Sequence, residues 1–212
     1  MMSDSPRPYR STLREQRAAA TRLRVVRAAV ELFSHQGYAA TTFAQLARAA
    51  GVSVETVRKH GPKSALLRAA LELASFGVEG ETDFFATDLG RATLRVRDRD
   101  ELATLVGDAM LAINAPSAAL WMTVAGAAHG DEELSGYHAQ LLASVRHQVD
   151  RVLRFLADRG WLRADVPFDE LVEAFCVITC AETYVRFVLQ DGRTDDAYRA
   201  FVRRMVRETV LT

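Results

Sequence analysis

Residues 46–67 read LARAAGVSVETVRKHGPKSALL. Apolar residues recur there at helical spacing, but the pattern breaks at Gly51 and again at Gly61-Pro62. Each piece between breaks holds about two turns, and helices so short are marginal alone. They must therefore be held by a shared core. Two short helices meeting at a sharp angle need a small residue where their backbones approach, which Ala47 supplies. The turn between them needs a residue tolerant of positive φ, which Gly51 supplies. Leu46, Ala50, Val52 and Val57 are then expected to point inward, against Leu23, Val26, Val30 and Phe33 of a preceding helix.

This pattern is a helix-turn-helix. Thr42-x-x-Gln45 reads as a capping box opening its first helix, and Ser53 caps the second. The second helix, Val54 to His60, exposes Glu55, Thr56, Arg58 and Lys59 and has the dimensions to lie in a DNA major groove. Pro62 suits the first position of a further helix reaching Gly77. Lys63, beside that helix N-terminus, is expected to meet a phosphate. The expected DNA-contacting set is Thr41 and Thr42 before the first helix, Ser53, Val54, Glu55, Thr56, Arg58, Lys59 and His60 on the second, and Lys63 after it.

Charge supports a polyanionic partner. The chain has 212 residues and no net charge, yet residues 1–70 carry 12 Lys+Arg against 4 Asp+Glu, while residues 71–212 carry 15 against 23. A +8 segment joined to a −8 segment points the first at nucleic acid. Arg7, Arg10, Arg14 and Arg17 lead into it and read either as a phosphate-tracking arm or as a solvated one.

The remainder reads as helices. The first starts near Thr12, with Thr12-x-x-Glu15 as a capping box, and ends at Gly37. Residues 80–97 are ambiguous between weak helix and loop. Helices are expected over 100–114, from Pro116 to about 129, from Asp131 to about 160, from Pro167 to about 190, and from Thr194 to 210. The fold class is all-α: residues 1–20 as a basic arm and start of the first helix, 21–62 as the helix-turn-helix domain, and 63–212 as a larger helical domain. The apolar stretch 109–128 contains Asn114, Pro116 and Thr123 and is expected in a protein core, with no membrane partner. The two cysteines, Cys176 and Cys180, fit two small core residues better than a metal site. With no secretory leader pattern, a cytoplasmic setting is expected.

The stretch RVVRAAVELFSHQGYAATTFAQLARAAGVSVETVRKHGPKSALLRAALEL resembles the N-terminal domain of the TetR family of bacterial transcriptional regulators over about residues 22–73. The Ala-x-x-Leu-Phe helix end, Gly37-Tyr38, Thr41-Thr42 and Leu46-Ala47-x-x-Ala50-Gly51-Val52-Ser53 carry the resemblance. It departs where Arg58 and Gly61 replace two aromatics usual at the end of the recognition helix. The tail ETYVRFVLQDGRTDDAYRAFVRRMVRETVL resembles members whose last two helices form a dimer interface. The resemblance implies a ligand-responsive homodimer, most simply a repressor released from a palindromic double-stranded operator by a small-molecule effector. It implies a ligand pocket among the central helices, with Trp121, Met122, Ala125, Phe175 and Thr179 as wall and Asn114, His129 and Tyr184 as polar anchors. Few polar groups in that set suit an apolar or cationic effector. The alternative is an architectural or adaptor protein whose second domain binds a protein partner. No nucleophile with a base, paired carboxylates or phosphate-cradling loop points to an enzyme, and no cofactor or metal is expected.

Overall fold

The computed structural model describes residues 9–77, 85 and 87–212. Four helices make the head: α1 (Tyr9–Ala40), α2 (Phe43–Ala50), α3 (Val54–Lys59) and α4 (Lys63–Phe76). The body contains α5 (Asp88–Arg95), α6 (Arg99–Ala127), α7 (Glu132–Asp158), α8 (Phe168–Thr179), α9 (Ala181–Tyr184), a π-helical segment Val185–Gln190, and α10 (Asp195–Thr209). Among the described residues the β pairing is confined to one bridge, Leu162 to Leu211.

The local punctuation in the head behaves as expected. Thr42 and Gln45 form the full capping box, and the Ser53 hydroxyl accepts from Thr56 N. Gly51 and Gly77 take the left-handed conformation at the ends of α2 and α4. Gly37 (φ 75°, ψ −178°) kinks the end of α1. α1 starts three residues before Thr12, and the side chain of Thr12 falls outside the described residues, as do Arg7 and residues 80–84 and 86 of the ambiguous segment 80–97, the rest of which contains α5.

Two apolar clusters hold the molecule. The head cluster joins Val25, Ala29, Phe33, Leu46, Val57, Leu66 and Leu67 to Leu120 and Val124 of α6 and Leu134 of α7. The body cluster joins Leu102, Leu153, Leu156, Leu171, Phe175, Tyr198, Val202 and Val206. Trp121, half-buried, packs against both. α6 is long and apolar enough to cross a membrane, but it packs against α1, α4, α7, α9 and α10.

The expected break at Pro116 does not occur: α6 runs through it as one helix of 29 residues. A mid-helix proline removes one hydrogen bond and costs about 3 kcal/mol. Burial of Leu102, Gly107, Asn114, Ala118, Leu120 and Val124 along the full length of α6 offsets that cost. At Gly107 the backbones of α6 and α10 come so close that a Cβ would lie 2.9 Å from the Arg199 carbonyl oxygen.

The expected single helix from Pro167 to Gln190 is instead cut at Cys180, whose backbone is extended (φ −67°, ψ 160°). The carbonyls that the cut exposes find side chains. Asn114 Nδ2 donates to Thr179 O at 3.0 Å, and Thr183 Oγ1 donates to Val177 O at 2.7 Å. Asn114 Nδ2 also donates to the Tyr198 hydroxyl at 2.8 Å. Tyr198 packs edge-on against Tyr184, whose hydroxyl donates to Asp195.

Head and body are joined by polar contacts as well as by the shared cluster. Tyr38 donates its hydroxyl to Asp131 Oδ2 at 3.2 Å, and Ser64 donates to Glu133 Oε2 at 2.8 Å. Thr123 of α6 donates to the Phe33 carbonyl at 3.1 Å. Arg68 lies 3.9 Å from Glu133 and stacks over Tyr137. The acidic first turn of α7 complements its helix dipole and also grips the start of α4 and the end of α1.

Two stability predictions follow from this packing. Gly107→Ala should lower unfolding free energy by about 1–3 kcal/mol, because the clash is with backbone. Gly136→Ala, in the exposed interior of α7 with open space around it, should raise it by up to about 1 kcal/mol. Chemical denaturation of both variants checks the opposite signs. Burial pushes the phenols of Tyr38, Tyr137, Tyr184 and Tyr198 up to about 12, with the charge of Asp131 adding to Tyr38 and the hydrogen bond to Asp195 adding to Tyr184. The folded values lie above the unfolded value of about 10. Their contribution is therefore fully present below pH 10 and lost as pH rises through 12. Phenolate absorbance followed together with circular dichroism should show these phenols ionising only as the fold is lost. Ionisation near pH 10 with helicity intact would contradict it.

Candidate functional site

The two-helix unit is rigid because its ends are closed locally. Gln36 Nε2 reaches both Thr41 Oγ1 and Gln45 Oε1 at 3.2 Å, tying the end of α1 to α2. Arg22 donates to the carbonyl of His60, which caps α3. The recognition helix thus has its N-terminus held by Ser53, its centre by buried Val57 and its C-terminus by α1.

What remains exposed on α3 is the chemistry available to a groove. Glu55, Arg58 and Lys59 are exposed, and Thr56 is half-exposed. Glu55 and Lys59 pair at 2.9 Å, and the hydrogen bond to Lys59 holds the Glu55 carboxyl below the usual carboxylate range. Both members are so exposed that the pair contributes little, so Lys59 can leave it for a base or phosphate. Arg58, at one of the positions where the resemblance implies an aromatic, stacks over the Phe43 ring at 5.7 Å. It does in part what an aromatic would do there, covering α2 with its guanidinium plane. Val54 and His60 are half-buried, with Val54 packed on the head cluster.

Three expected contacts differ in situation. Thr41 is buried, donates to Gly37 O at 2.8 Å and accepts from Gln36, so its side chain is a structural strut. The Thr42 hydroxyl serves the capping box. Lys63 is not a free cation in front of α4. Its Nζ donates to Tyr38 O at 2.8 Å and Thr41 O at 3.3 Å and lies 4.2 Å from the centre of the Tyr38 ring. The kink at Gly37 leaves those carbonyls without helical donors, and a lysine in the next layer supplies them.

The expected pocket residues separate into two groups. Asn114, Phe175, Thr179 and Tyr184 converge around the cut at Cys180, where the Thr179 hydroxyl donates to Phe175 O. Trp121 lies between the clusters, and Ala125 is half-exposed near the end of α6. Met122 is 42% exposed and His129 is exposed, its Nδ1 2.9 Å from Ala125 O. α6 is apolar nearly all round, but its packed face runs through Leu120 and Val124, and Met122 projects from the opposite side. Cys176 and Cys180 are free, half-buried thiols, pushed up chiefly by burial.

Sequence reasoning missed Ser75, whose hydroxyl is buried in α4 without a hydrogen-bond partner among the described residues. It also missed an open groove of about 690 Å³ between α6 and α10. Asp100, Asp108 and Asp196 meet Arg199, Arg203, Arg204 and Arg207 there. Neither has a local sequence signature, since each depends on which helices meet.

Comparison with known proteins agrees with this architecture. Residues 25–70 match the family described as bacterial regulatory proteins, tetR family. No curated protein matches the chain. Among solved structures, a protein from Saccharomonospora viridis in complex with choline aligns with a TM-score of 0.72 at 16% identity. That alignment covers 92% of this chain and 99% of that one. SmeT in complex with triclosan aligns with a TM-score of 0.70 at 18% identity, covering 91% and 92%. The fatty acid degradation regulator FadR from Bacillus halodurans aligns with a TM-score of 0.67 at 16% identity, covering 87% and 92%. The capped helix-turn-helix thus lies inside the segment that matches the tetR family, and with the all-helical body behind it the chain has the fold of these solved structures.

Proposed function

We propose that the protein is a homodimeric repressor that binds a roughly palindromic operator and is released by a small, apolar or cationic effector. The presentation of α3 carries this reading: a short helix capped at both ends, with Thr56, Arg58 and Lys59 outward on a segment of net charge +8. In a dimer two such helices enter major-groove segments about 34–36 Å apart. The DNA-contacting residues would be Thr42, Ser53, Glu55, Thr56, Arg58 and Lys59, with backbone N–H groups of the α4 first turn on phosphate. The setting is the cytoplasm, where the operator lies.

Apolar surface on the last helices supports a second copy as partner. Val177 and Leu189 are each 58% exposed. Phe187, Phe201 and Met205 are half-buried beside them. Val172 and Tyr184 of the same region pack inward in the body cluster. A four-helix contact between copies would cover the remaining face.

The effector would act through the body. Asn114, Thr179 and Tyr184, with Phe175 and Trp121, would supply an apolar wall with few anchors to an effector that opened this packing. Two of the similar folds are complexes with small molecules, one with choline and one with triclosan, which supports a small cationic or apolar aromatic effector here. An effector need only bind better to the state whose heads are misaligned with DNA. The Tyr38–Asp131 and Ser64–Glu133 contacts are the route by which a shift of α7 reaches the head.

Selection of genomic fragments by the purified protein should enrich a palindromic sequence, and sedimentation at micromolar concentration should give a dimer. Failure to enrich any fragment would defeat the reading. Lys59→Ala should change the ranking of selected fragments. Lys63→Met should act differently: the two carbonyls it serves lose a charged donor, and the head loses about 1–3 kcal/mol of stability. Thermal unfolding of Lys63→Met and Lys59→Ala separates the two roles, since only the first should shift the transition.

A further inference from the structure

The matched family segment begins at residue 25, but α1 begins at Tyr9. About four helical turns therefore precede the matched segment. From residue 14 to residue 20 every side chain is exposed, and burial starts only at Val25. A helix with no packed face in this stretch is unusual, because short exposed helical extensions gain little from tertiary contact.

Its direction is fixed by contacts further along. Phe33 and Tyr38, late in α1, touch α6 and the start of α7 in the body. Arg22, a few turns earlier, touches the C-terminal cap of the recognition helix. Moving toward its N-terminus, α1 thus leaves the body, passes the head core and reaches the level of α3. It then continues for 13 residues, roughly 20 Å at 1.5 Å per residue. The extension lies on the far side of the head from the body.

The charge on it is ordered. At 3.6 residues per turn, positions 10, 14, 17 and 24 fall within a sector of about 80°. All four are arginines. Arg14, Arg17 and Arg24 are exposed and have no side-chain partner among the described residues. Glu15 stands off this line by more than a quarter turn. Continued toward the C-terminus, the line runs between Ala28, buried in the head cluster, and the exposed Glu31 and His35, so the arginines stand at the edge of the packed face of α1.

We propose that the first turns of α1 are a basic strut that lies along the phosphate backbone of duplex DNA, beside the groove entered by α3. The inference rests on the DNA-binding reading above. It adds a second contact surface that is blind to sequence: a row of guanidinium groups on phosphate positions the protein but specifies no base. Rigid helical presentation lowers the ordering cost that a disordered arm would carry on binding. Each phosphate neutralised adds about −0.9 to the log–log dependence of affinity on salt.

The test uses the full chain and a mixed-sequence duplex about three helical turns long, with affinity measured by fluorescence anisotropy between about 50 and 200 mM salt. The double variant Arg14→Gln/Arg17→Gln should make the slope shallower by about 1.8, so that the wild-type advantage shrinks roughly twelvefold across that range. Its ranking of selected genomic fragments should stay that of the wild type. The control Arg95→Gln/Arg97→Gln removes the same charge from the exposed end of α5 and should leave the slope unchanged. Circular dichroism confirms that both variants fold. An unchanged slope in the α1 variant, or an equal change in the control, overturns the strut while leaving the operator reading standing. A wild-type protein that binds no duplex overturns both.

Discussion

The structure depends on one constraint: α6 must stay helical through Pro116. With α7 it is one of two helices that contribute to both apolar clusters, with Leu120 and Val124 in the head and Leu102 and Ala103 in the body. If it broke at the proline, α7 alone would remain as a rigid helix shared by the two clusters, through Leu134 in the head and Leu153 and Leu156 in the body. The local cost of the proline is a few kilocalories per mole. The burial along 29 residues is larger, and the Gly107 approach to α10 lets that burial be close-packed.

The joint between head and body differs in kind from the clusters it connects. The hydrophobic driving force has no direction of its own, whereas hydrogen bonds at 2.8–3.2 Å do. Tyr38, Ser64 and Phe33 of the head each meet a single polar group of α6 or α7, so the head has one favoured orientation. A perturbation of the first turn of α7 would remove two of those three contacts together. Asp131 adds to this coupling because it serves both as the N-cap of α7 and as the acceptor for Tyr38.

Legibility from sequence follows the range of the interaction. The caps at Thr42 and Ser53, the turn at Gly51 and the exit at Gly77 involve partners within five residues, and all were readable. The uninterrupted α6 was not, because propensity at Pro116 is overridden by packing against distant helices. The cut at Cys180 was hidden for a related reason: the donor that makes it tolerable, Asn114, lies 65 residues upstream. The place of Lys63 in the sequence marks it as special, but its partners are the carbonyls of Tyr38 and Thr41, just past the Gly37 kink and 25 and 22 residues earlier. Met122 was misplaced because an all-apolar helix does not reveal which side is covered. The exposed residues of α3 were readable because its two turns have a clear buried side at Val57.

The length of α1 gives it a mechanical property that neither cluster has by itself. It is held to α6 at Phe33 and reaches Arg14 19 residues away, roughly 28 Å of stiff rod. Such a rod converts angle into displacement. A tilt of about 5° about the Phe33 contact carries Arg14 through roughly 2.5 Å, close to the length of a hydrogen bond. At Arg22, nearer the pivot, the same tilt moves the side chain by less than about 1.5 Å. Small rotations generated in the body are therefore amplified toward the free end of α1, so the outermost arginines travel furthest while the capped recognition helix moves least.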